Sequence, residues 1–356
     1  MARPGGLIED EGGLGDPGAY LKSTLESQPG ELARLLADPS AAIAAERLRG
    51  AGRIFLAGTG TSFHCALAGQ FMLRGAGLDA WAVRAFEFAS YPPVLRHDDG
   101  LILLSHRGSK RFSRDSLDSF MRTSERWVAI TGEASPLEGA GVIHTVGQER
   151  SPVHTASHTG AMLRVAQVAC ALGRPAWSAD LDGIPRAVGA AIELREKVTA
   201  AVAAIDLASP VHFVGGGPAR ATSYEGALKL REAAHRVSAE GHDVEGILHG
   251  PLVSLQAGQS AVVIAQPGPA LDRAREVAAA LARIGVQVVA VGPAASALEA
   301  RWRVATKEVD EALSPIVNVI PLQWLAYEAS LRMGVDADTF RRDEPAYAAA
   351  QKEFSL

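Results

Sequence analysis

The sequence has 356 residues, is 47% apolar and carries a formal net charge of -5. That length suits one large or two ordinary domains, and the apolar share is sufficient for sizeable cores. An acidic chain with few aromatic residues lacks the basic face that nucleic acids require, so we predict no nucleic-acid partner. No apolar run approaches the roughly 18 residues of a membrane span, so we predict no membrane partner. These exclusions favour small-molecule chemistry.

The N-terminal segment and the two cysteines indicate in which cellular compartment the protein is expected. Residues 1–18 are rich in glycine and have neither a basic start nor an apolar stretch, which predicts a disordered leader and not a secretion signal. Cys65 and Cys170 each lie in an alanine-rich helical context that is typical of small buried residues. We therefore expect a cytoplasmic protein without a disulfide.

Short apolar runs recur along the chain, each followed by a helical pattern. The first half offers the strands "RIFLAG", "LILLSH", "WVAITG" and "VIHTVG", with helices beginning near Ser62, Lys110 and Pro136. After residue 208 the pattern restarts with "VHFVGG", "AVVIAQ" and "VQVVAVG". Strands that alternate with helices predict an α/β protein with parallel sheets and helical crossovers.

The two halves of the chain resemble each other. "FLAGTGTSFHCALAG" and "FVGGGPARATSYEGA" both contain a strand, a glycine turn and a helix, which favours an internal duplication. With the boundary near residue 205, the predicted domains are 19–205 and 206–338, followed by a tail at 339–356.

The first glycine turn predicts an anion site. Phe63 stands where a dinucleotide fingerprint requires its third glycine, and the second turn fails in the same way, so we predict no cofactor. Gly60, Thr61 and Ser62 nevertheless place backbone N–H groups and two hydroxyls at a helix start, where the helix dipole favours an anion. An ordinary helix cap is an equally good interpretation of these residues.

A second polar cluster follows the strand "LILLSH". Hydroxyls and cations alternate immediately after the strand, at the end of a parallel sheet where ligands collect. The residues are Ser105, His106, Arg107, Ser109 and Lys110. We interpret them as an anion clamp, and a solvated basic loop is the alternative.

The stretch "ERSPVHTASHTG" supplies Thr155 and Ser157 at another predicted helix start. His154 and His158 stand four apart, but no glutamate lies between them as in a zinc-protease motif. We therefore predict no metal and interpret both histidines as surface residues.

The stretch "YEGALKLREAAHRVSAEGHDVEGILHGP" begins as a helix and ends in a glycine-broken segment. Lys229 and Glu232 are three apart and lie on one side of that helix, while His249 precedes Gly-Pro. Titratable groups before a glycine-rich loop suggest a site. A solvated ion pair and a simple turn are the alternatives.

Five motifs resemble the sugar isomerase (SIS) family, specifically the isomerase half of glucosamine-6-phosphate synthase. In order they are "GTGTSFHCALAG", "SHRGSK", "EGALKLREA", "LHGP" and "PLQWLAYEASLRMGVDAD". The resemblance extends to Asp338 and implies two tandem three-layer αβα domains with parallel sheets, a flavodoxin-like, nucleotide-free sugar-phosphate fold. The family's glutaminase domain has no counterpart here, so we expect no use of glutamine.

The resemblance also implies roles for individual residues. Glu232 would shuttle a proton between C1 and C2 of an open-chain sugar phosphate, and Lys229 matches the lysine of the same helix. His249 would assist ring opening, often from the neighbouring subunit, which implies a homodimer with shared active sites. The phosphate is implied on Thr61, Ser62, Ser105 and the "SHRGSK" loop, with Thr155 and Ser157 near the sugar.

Two departures from the family pattern affect the expected substrate. His106, Arg107 and Lys110 replace neutral side chains, and we expect the added positive charge either to bind a more acidic ligand or to hold the phosphate. The tail offers only a displaced Lys352 for help at the active site. The leading expectation is aldose–ketose isomerisation with or without loss of an amine. A deglycase of amine-linked ketose phosphates and a non-catalytic sugar-phosphate sensor are the alternatives.

Overall fold

The computed structural model describes residues 15–354, so most of the predicted leader lies outside the described residues. The strands are β1 Ile54–Gly58, β2 Ala80–Arg84, β3 Gly100–Leu104, β4 Trp127–Thr131, β5 Val142–His144, β6 Val211–Gly215, β7 Ala239–Asp243, β8 Ser260–Ile264, β9 Gln287–Val291 and β10 Trp302–Val304. The α-helices are α1 Ala19–Ala37, α2 Ser40–Ala45, α3 Thr61–Gly75, α4 Ala85–Ser90, α5 Arg111–Met121, α6 Ala156–Gly173, α7 Ile184–Ile192, α8 Arg195–Val202, α9 Ala219–Ala233, α10 Leu271–Ile284, α11 Ser314–Arg332 and α12 Pro345–Ala350.

The strands form two five-stranded sheets with the same order. The first runs β2-β1-β3-β4-β5 and the second β7-β6-β8-β9-β10, and every pairing is parallel. The central strands β1, β3, β6 and β8 are buried along their whole length, as continuous apolar runs covered by helices on both faces should be. The predicted α/β class with two tandem parallel-sheet domains is confirmed.

Three strands of the structure were not predicted from the sequence, and one predicted helix is absent from the described residues. β2, β7 and β10 are edge strands. β7 and β10 carry polar or charged residues and lack the apolar run of a central strand, whereas β2, "AWAVR", is a short apolar run that is only partly buried. No helix begins near Pro136, because residues 132–141 form turns between β4 and β5. Three glycines and a proline in that segment favour turns over a helix.

The two halves share a core. Buried residues of α3, α6, α9 and α11 belong to one apolar cluster. Trp324 of α11 donates its indole N–H to the carbonyl of Ile192 in α7 at 3.0 Å. Helices α7 and α8 both pack against α11, so the boundary near residue 205 stays a prediction.

Two further sequence expectations concern membranes and thiols. Within residues 15–354, no helix has the length and apolarity needed to cross a bilayer. Both cysteines are free thiols. Cys65 is buried as predicted, whereas Cys170 is only half-buried because it lies near the end of α6.

Candidate active site

The turn between β1 and α3 forms the first wall of the site. Gly60 adopts φ 58° and ψ -127°, a conformation that residues with a Cβ rarely adopt. This turn lets α3 begin at Thr61, directly after the carboxyl end of β1. The helix start therefore directs its positive dipole to the edge of the sheet where ligands of parallel sheets bind.

The loop after β3 forms the second wall. The N–H of Gly108 donates to the carbonyl of Ser105 at 2.9 Å, and the turn needs φ 64° at Gly108. This tight turn returns the chain towards the sheet, with Lys110 immediately before α5. Burial, followed by the charge of Arg107, lowers the pKa of the Lys110 ammonium from its ordinary value.

These walls enclose a cavity of about 130 Å³ at the carboxyl end of the first sheet. Its lining residues are Thr59, Gly60, Thr61, Ser62, Cys65, Leu104, Ser105, His106, Arg107, Lys110, Ser113, Ile130, Thr145, His154, Ser157, His158, Ala161 and Glu232. Most of the residues singled out in the sequence thus meet in one place. Four do not line the cavity: Ser109, Thr155, Lys229 and His249.

Helix α9 of the second half contributes three charged side chains that lie on one face. Glu225, Lys229 and Glu232 are separated by four and three residues, which is helical spacing. The side chains of Glu225 and Lys229 are fully buried. Lys229 Nζ lies 3.4 Å from Glu225 Oε1 and contacts Glu232 Oε2 directly. The solvated ion pair considered for Lys229 and Glu232 is therefore wrong for Lys229, because its ammonium has no contact with solvent.

The charges of this triad are set by their mutual contacts. Burial alone would lower the pKa of the Lys229 ammonium, but Glu232 and Glu225 outweigh it and the pKa is raised. Burial alone would raise the pKa of the Glu225 carboxyl, but Lys229 and neighbouring histidines hold it well below its usual range. Lys229 and Glu225 therefore stay ionised near pH 7, and the Glu232 carboxylate lies in direct contact with the Lys229 ammonium.

Glu225 also ties α9 to α3 across the two halves. Thr61 Oγ1 donates to one carboxylate oxygen at 3.0 Å, and His64 Nδ1–H donates to the other at 2.6 Å. Because the Thr61 hydroxyl proton is donated to Glu225, it is not available to a bound anion. The remaining donors for an anion here are the backbone N–H groups of the turn and the Ser62 hydroxyl. Sequence reasoning missed Glu225, although its spacing of four residues before Lys229 was a usable signal.

Several polar atoms that line the cavity have no hydrogen-bond partner among the described residues. They are Ser105 Oγ, both ring nitrogens of His106 and His158 Nδ1, and all are buried. A buried polar group without a partner costs about 1–3 kcal/mol, which a polar ligand in the cavity would offset. The cavity is therefore chemically complementary to a ligand rich in oxygen atoms.

The structure corrects the expected charge of the loop. Burial, then the neighbouring His154, lowers the pKa of His106 to about 4. His106 is therefore neutral near pH 7 and adds no positive charge, contrary to the sequence-based expectation. Arg107 and Lys110 supply the positive charge of this wall.

The two histidines of "ERSPVHTASHTG" are not surface residues. His158 is buried, and burial lowers its pKa to about 4, while His154 is half-buried. Both line the cavity because α6 begins beside it. A spacing of four residues shows that two side chains share a helix face, but not whether that face is buried, because burial depends on how α6 packs.

Buried Glu149 holds the start of α6. Its carboxylate accepts the backbone N–H of Thr155 at 2.9 Å and that of Ser157 at 2.8 Å. Burial alone would raise the pKa of Glu149, but His154 and hydrogen bonds from Ser157 and Thr155 lower it to about 2. The Thr155 hydroxyl also points to Glu149, at 3.3 Å, so Thr155 supports the helix start while Ser157 faces the cavity.

His249 and Lys352 lie away from the cavity of their own chain. The His249 side chain is 76% exposed, and its Nε2 lies 3.4 Å from Glu245 Oε2. Lys352 is exposed in the turn after α12. Neither residue contacts Glu232 within one chain.

A larger and more open cleft of about 1350 Å³ lies elsewhere, but its charge does not suit an anion. Five carboxylates line it beside only two cations, Arg186 and Lys307. The acidic residues are Asp180, Asp182, Glu308, Asp310 and Glu311. The smaller cavity, which Arg107 and Lys110 line, is therefore the better candidate site for an anionic ligand.

No protein-family model matches the chain. A curated relative, glutamine–fructose-6-phosphate aminotransferase (isomerizing) from Methanothermobacter thermautotrophicus, is 27% identical over 299 residues. The alignment covers 80% of this chain and 50% of the relative, so the chain spans about half the length of that protein.

Solved structures share the fold. Tagatose-6-phosphate ketose/aldose isomerase from Escherichia coli matches with a TM-score of 0.77 and 18% identity, covering 90% of this chain and 95% of that one. Glucosamine-6-phosphate deaminase from Thermotoga maritima matches with a TM-score of 0.75 and 19% identity, covering 90% and 97%. The chain is therefore similar in sequence to that aminotransferase, and it shares a fold of two parallel sheets with these solved structures.

Proposed function

We propose that the chain is an isomerase that transfers a proton between C1 and C2 of an open-chain, amino- or amine-linked sugar phosphate, with or without loss of the amine. One observation carries the proposal: Glu232, Ser62, Ser105, Arg107 and Lys110 line the same cavity. Cations and hydroxyls suit the phosphate, and a carboxylate suits proton transfer at carbon. The names of the similar proteins, which include an isomerase and a deaminase of sugar phosphates, support this substrate class.

The proposed steps use groups that the structure brings together. The phosphate binds at the N-terminus of α3 and the Arg107–Lys110 loop, and this fixes the sugar chain in the cavity. The Glu232 carboxylate removes a proton from one carbon and returns it to the neighbouring carbon. Lys229 holds Glu232 by direct contact and keeps its orientation. The unpartnered Ser105 and His106 are available to bind sugar oxygens.

Solvent hydrogen exchange tests the proposal. In D2O, the protein should introduce deuterium at C2 of glucosamine 6-phosphate, which NMR detects directly. A sensor would bind the phosphosugar, seen as a rise in melting temperature, without exchanging this hydrogen. Neither binding nor exchange with any hexose or hexosamine phosphate would contradict the proposal.

A deglycase that cleaves an amine-linked ketose phosphate is a second candidate. Arg107 and Lys110 both line the cavity and could bind a second acidic group as well as a phosphate. Proton transfer between C2 and C1 at Glu232 would be the same, passing through an enaminol to an imine at C1. In the deglycase, one water then adds to this imine, the C–N bond breaks, and the amine and an aldose phosphate are released.

Substitution of Arg107 or Lys110 distinguishes phosphate binding from the binding of a second acidic group. We expect Arg107→Ser to weaken glucosamine 6-phosphate binding by about 1.5–3 kcal/mol while leaving the weak binding of glucosamine alone, because a charge-assisted contact is lost. Isothermal titration of both sugars and of a glycated amino-acid phosphate measures this. A loss confined to the glycated ligand would assign Arg107 to a second acidic group.

Arg111→Ser is the matched control for this loop. Arg111 begins α5 one residue after Lys110, pairs with Asp115 at 3.7 Å and does not line the cavity. We expect no change in affinity for any ligand. Equal affinities in Arg107→Ser, Lys110→Ser and Arg111→Ser would instead identify a solvated basic loop.

We further propose a homodimer in which His249 serves the partner's cavity. His249 does not reach its own cavity, and Val253, four residues later, is 90% exposed although apolar. An imidazole can open the sugar ring near pH 7 because it gives and takes a proton in that range.

Mixing of inactive subunits tests this arrangement. Glu232→Gln and His249→Ala proteins, each inactive alone, should regain exchange activity when unfolded and refolded together, because one of the mixed dimer's two sites is intact. A monomeric active species in analytical ultracentrifugation would contradict shared sites.

A further inference from the structure

The edge of the second sheet carries a cluster of ligating side chains outside the cavity. β7 is an edge strand and pairs with β6 in a register that places His212 opposite Glu240 and Val214 opposite His242. Side chains two residues apart in a strand point to the same face. The register therefore brings His212, Glu240 and His242 to one face of the edge.

Packing on α9 shows which face this is. A Cβ at Gly241 would lie 2.5 Å from Tyr224 Cδ1, and a Cβ at Gly226 would lie 2.8 Å from Phe213 Cδ1. Gly241 and Phe213 therefore face α9. Their strand neighbours Glu240, His242 and His212 point away from α9, to the other side of the sheet.

The three side chains come within ligating distance of one another. His212 Nδ1 lies 3.0 Å from His242 Nε2, and His242 Nε2 lies 3.6 Å from Glu240 Oε2. One ligand atom from each residue falls within 4.8 Å of the other two, and in residues 15–354 this is the only group of three or more potential ligands that does so. His212 is buried, while the Glu240 side chain is 57% exposed, so an ion could enter from the Glu240 side.

The donor set and spacing suit zinc. Two imidazoles and one carboxylate form a known three-ligand Zn²⁺ set that leaves a fourth position open. At bonds of about 2.0–2.1 Å, a tetrahedral angle separates two nitrogens by about 3.4 Å, so the histidine pair must open by only about 0.4 Å.

We propose that His212, Glu240 and His242 form a binding site for one divalent cation of the Zn²⁺ class. None of the three residues lines the cavity that contains Glu232, so the site is separate from the proposed reaction. The bound ion would cross-link the edge strand β7 to β6. An edge strand has a partner on one side only, so this cross-link would stabilise the strand that leads into the segment bearing His249.

Zinc titration of the full chain, after treatment with EDTA, tests the site. Calorimetry should show one Zn²⁺ per chain, and Zn²⁺ should raise the melting temperature. Substitution of a ligand should weaken binding at least about tenfold, as in His242→Ala and Glu240→Gln. Co²⁺ in the same site should show visible absorption of a four-coordinate ion.

Controls keep the test independent of folding. The Glu240 side chain is 57% exposed, so Glu240→Gln should fold normally, which circular dichroism checks. His97→Ala, an exposed histidine of the first half, should bind Zn²⁺ as the wild type does. Absence of saturable binding, or equal affinity in His242→Ala, Glu240→Gln and wild type, would show that the histidines form only a hydrogen-bonded pair.

Discussion

Glu232→Gln should lower solvent hydrogen exchange at C2 of glucosamine 6-phosphate by roughly 100-fold or more while phosphosugar binding persists. The amide keeps the shape of the side chain and can still accept a hydrogen bond from Lys229, but it cannot accept the substrate proton. NMR in D2O measures the exchange, and calorimetry measures the binding.

A surface acid provides the control for this substitution. Glu276 lies on α10, pairs with Arg273 and is absent from the cavity lining, so Glu276→Gln should exchange at the wild-type rate. Unchanged exchange in Glu232→Gln would remove this residue from the mechanism. Loss of binding together with exchange would instead give Glu232 a role in holding the sugar.

Lys229→Met should lower the free energy of unfolding by about 3–5 kcal/mol, because it leaves buried Glu225 without its cation. Lys229 and Glu225 are both fully buried, so water cannot replace the lost contact. Urea denaturation followed by circular dichroism measures the change. The double variant with Glu225→Gln should recover part of the loss, since the unpaired charge is then removed as well.

Lys22→Met is the comparison for a solvated pair. Lys22 Nζ lies 3.9 Å from Glu26 on α1, and both side chains are largely exposed. Its removal should change the free energy of unfolding by less than about 1 kcal/mol. A similarly small effect in Lys229→Met would show that the buried triad contributes little to stability.

The apolar runs of the sequence were sufficient to predict the central strands. β1, β3, β4, β6, β8 and β9 are continuous apolar segments, because central strands of a parallel sheet are buried on both faces. The glycine turn before Thr61 and the polar loop after β3 were also visible, since each follows such a run. The edge strand β7 was not predicted because its sequence, "AEGHD", resembles a polar loop.

The sequence by itself determined the fold class and the residue types that the cavity collects: hydroxyls, two cations and the acid of α9. Only the tertiary structure decided which of them meet. Helices α3 and α9 come from opposite halves of the chain, and their packing buries Glu225 against Thr61 and His64. The contacts made by this packing keep the Glu225 carboxylate ionised, whereas the burial of His106 removes the positive charge expected there. Sequence spacing cannot supply such distances, because they join residues more than 160 positions apart and depend on how two separate layers pack.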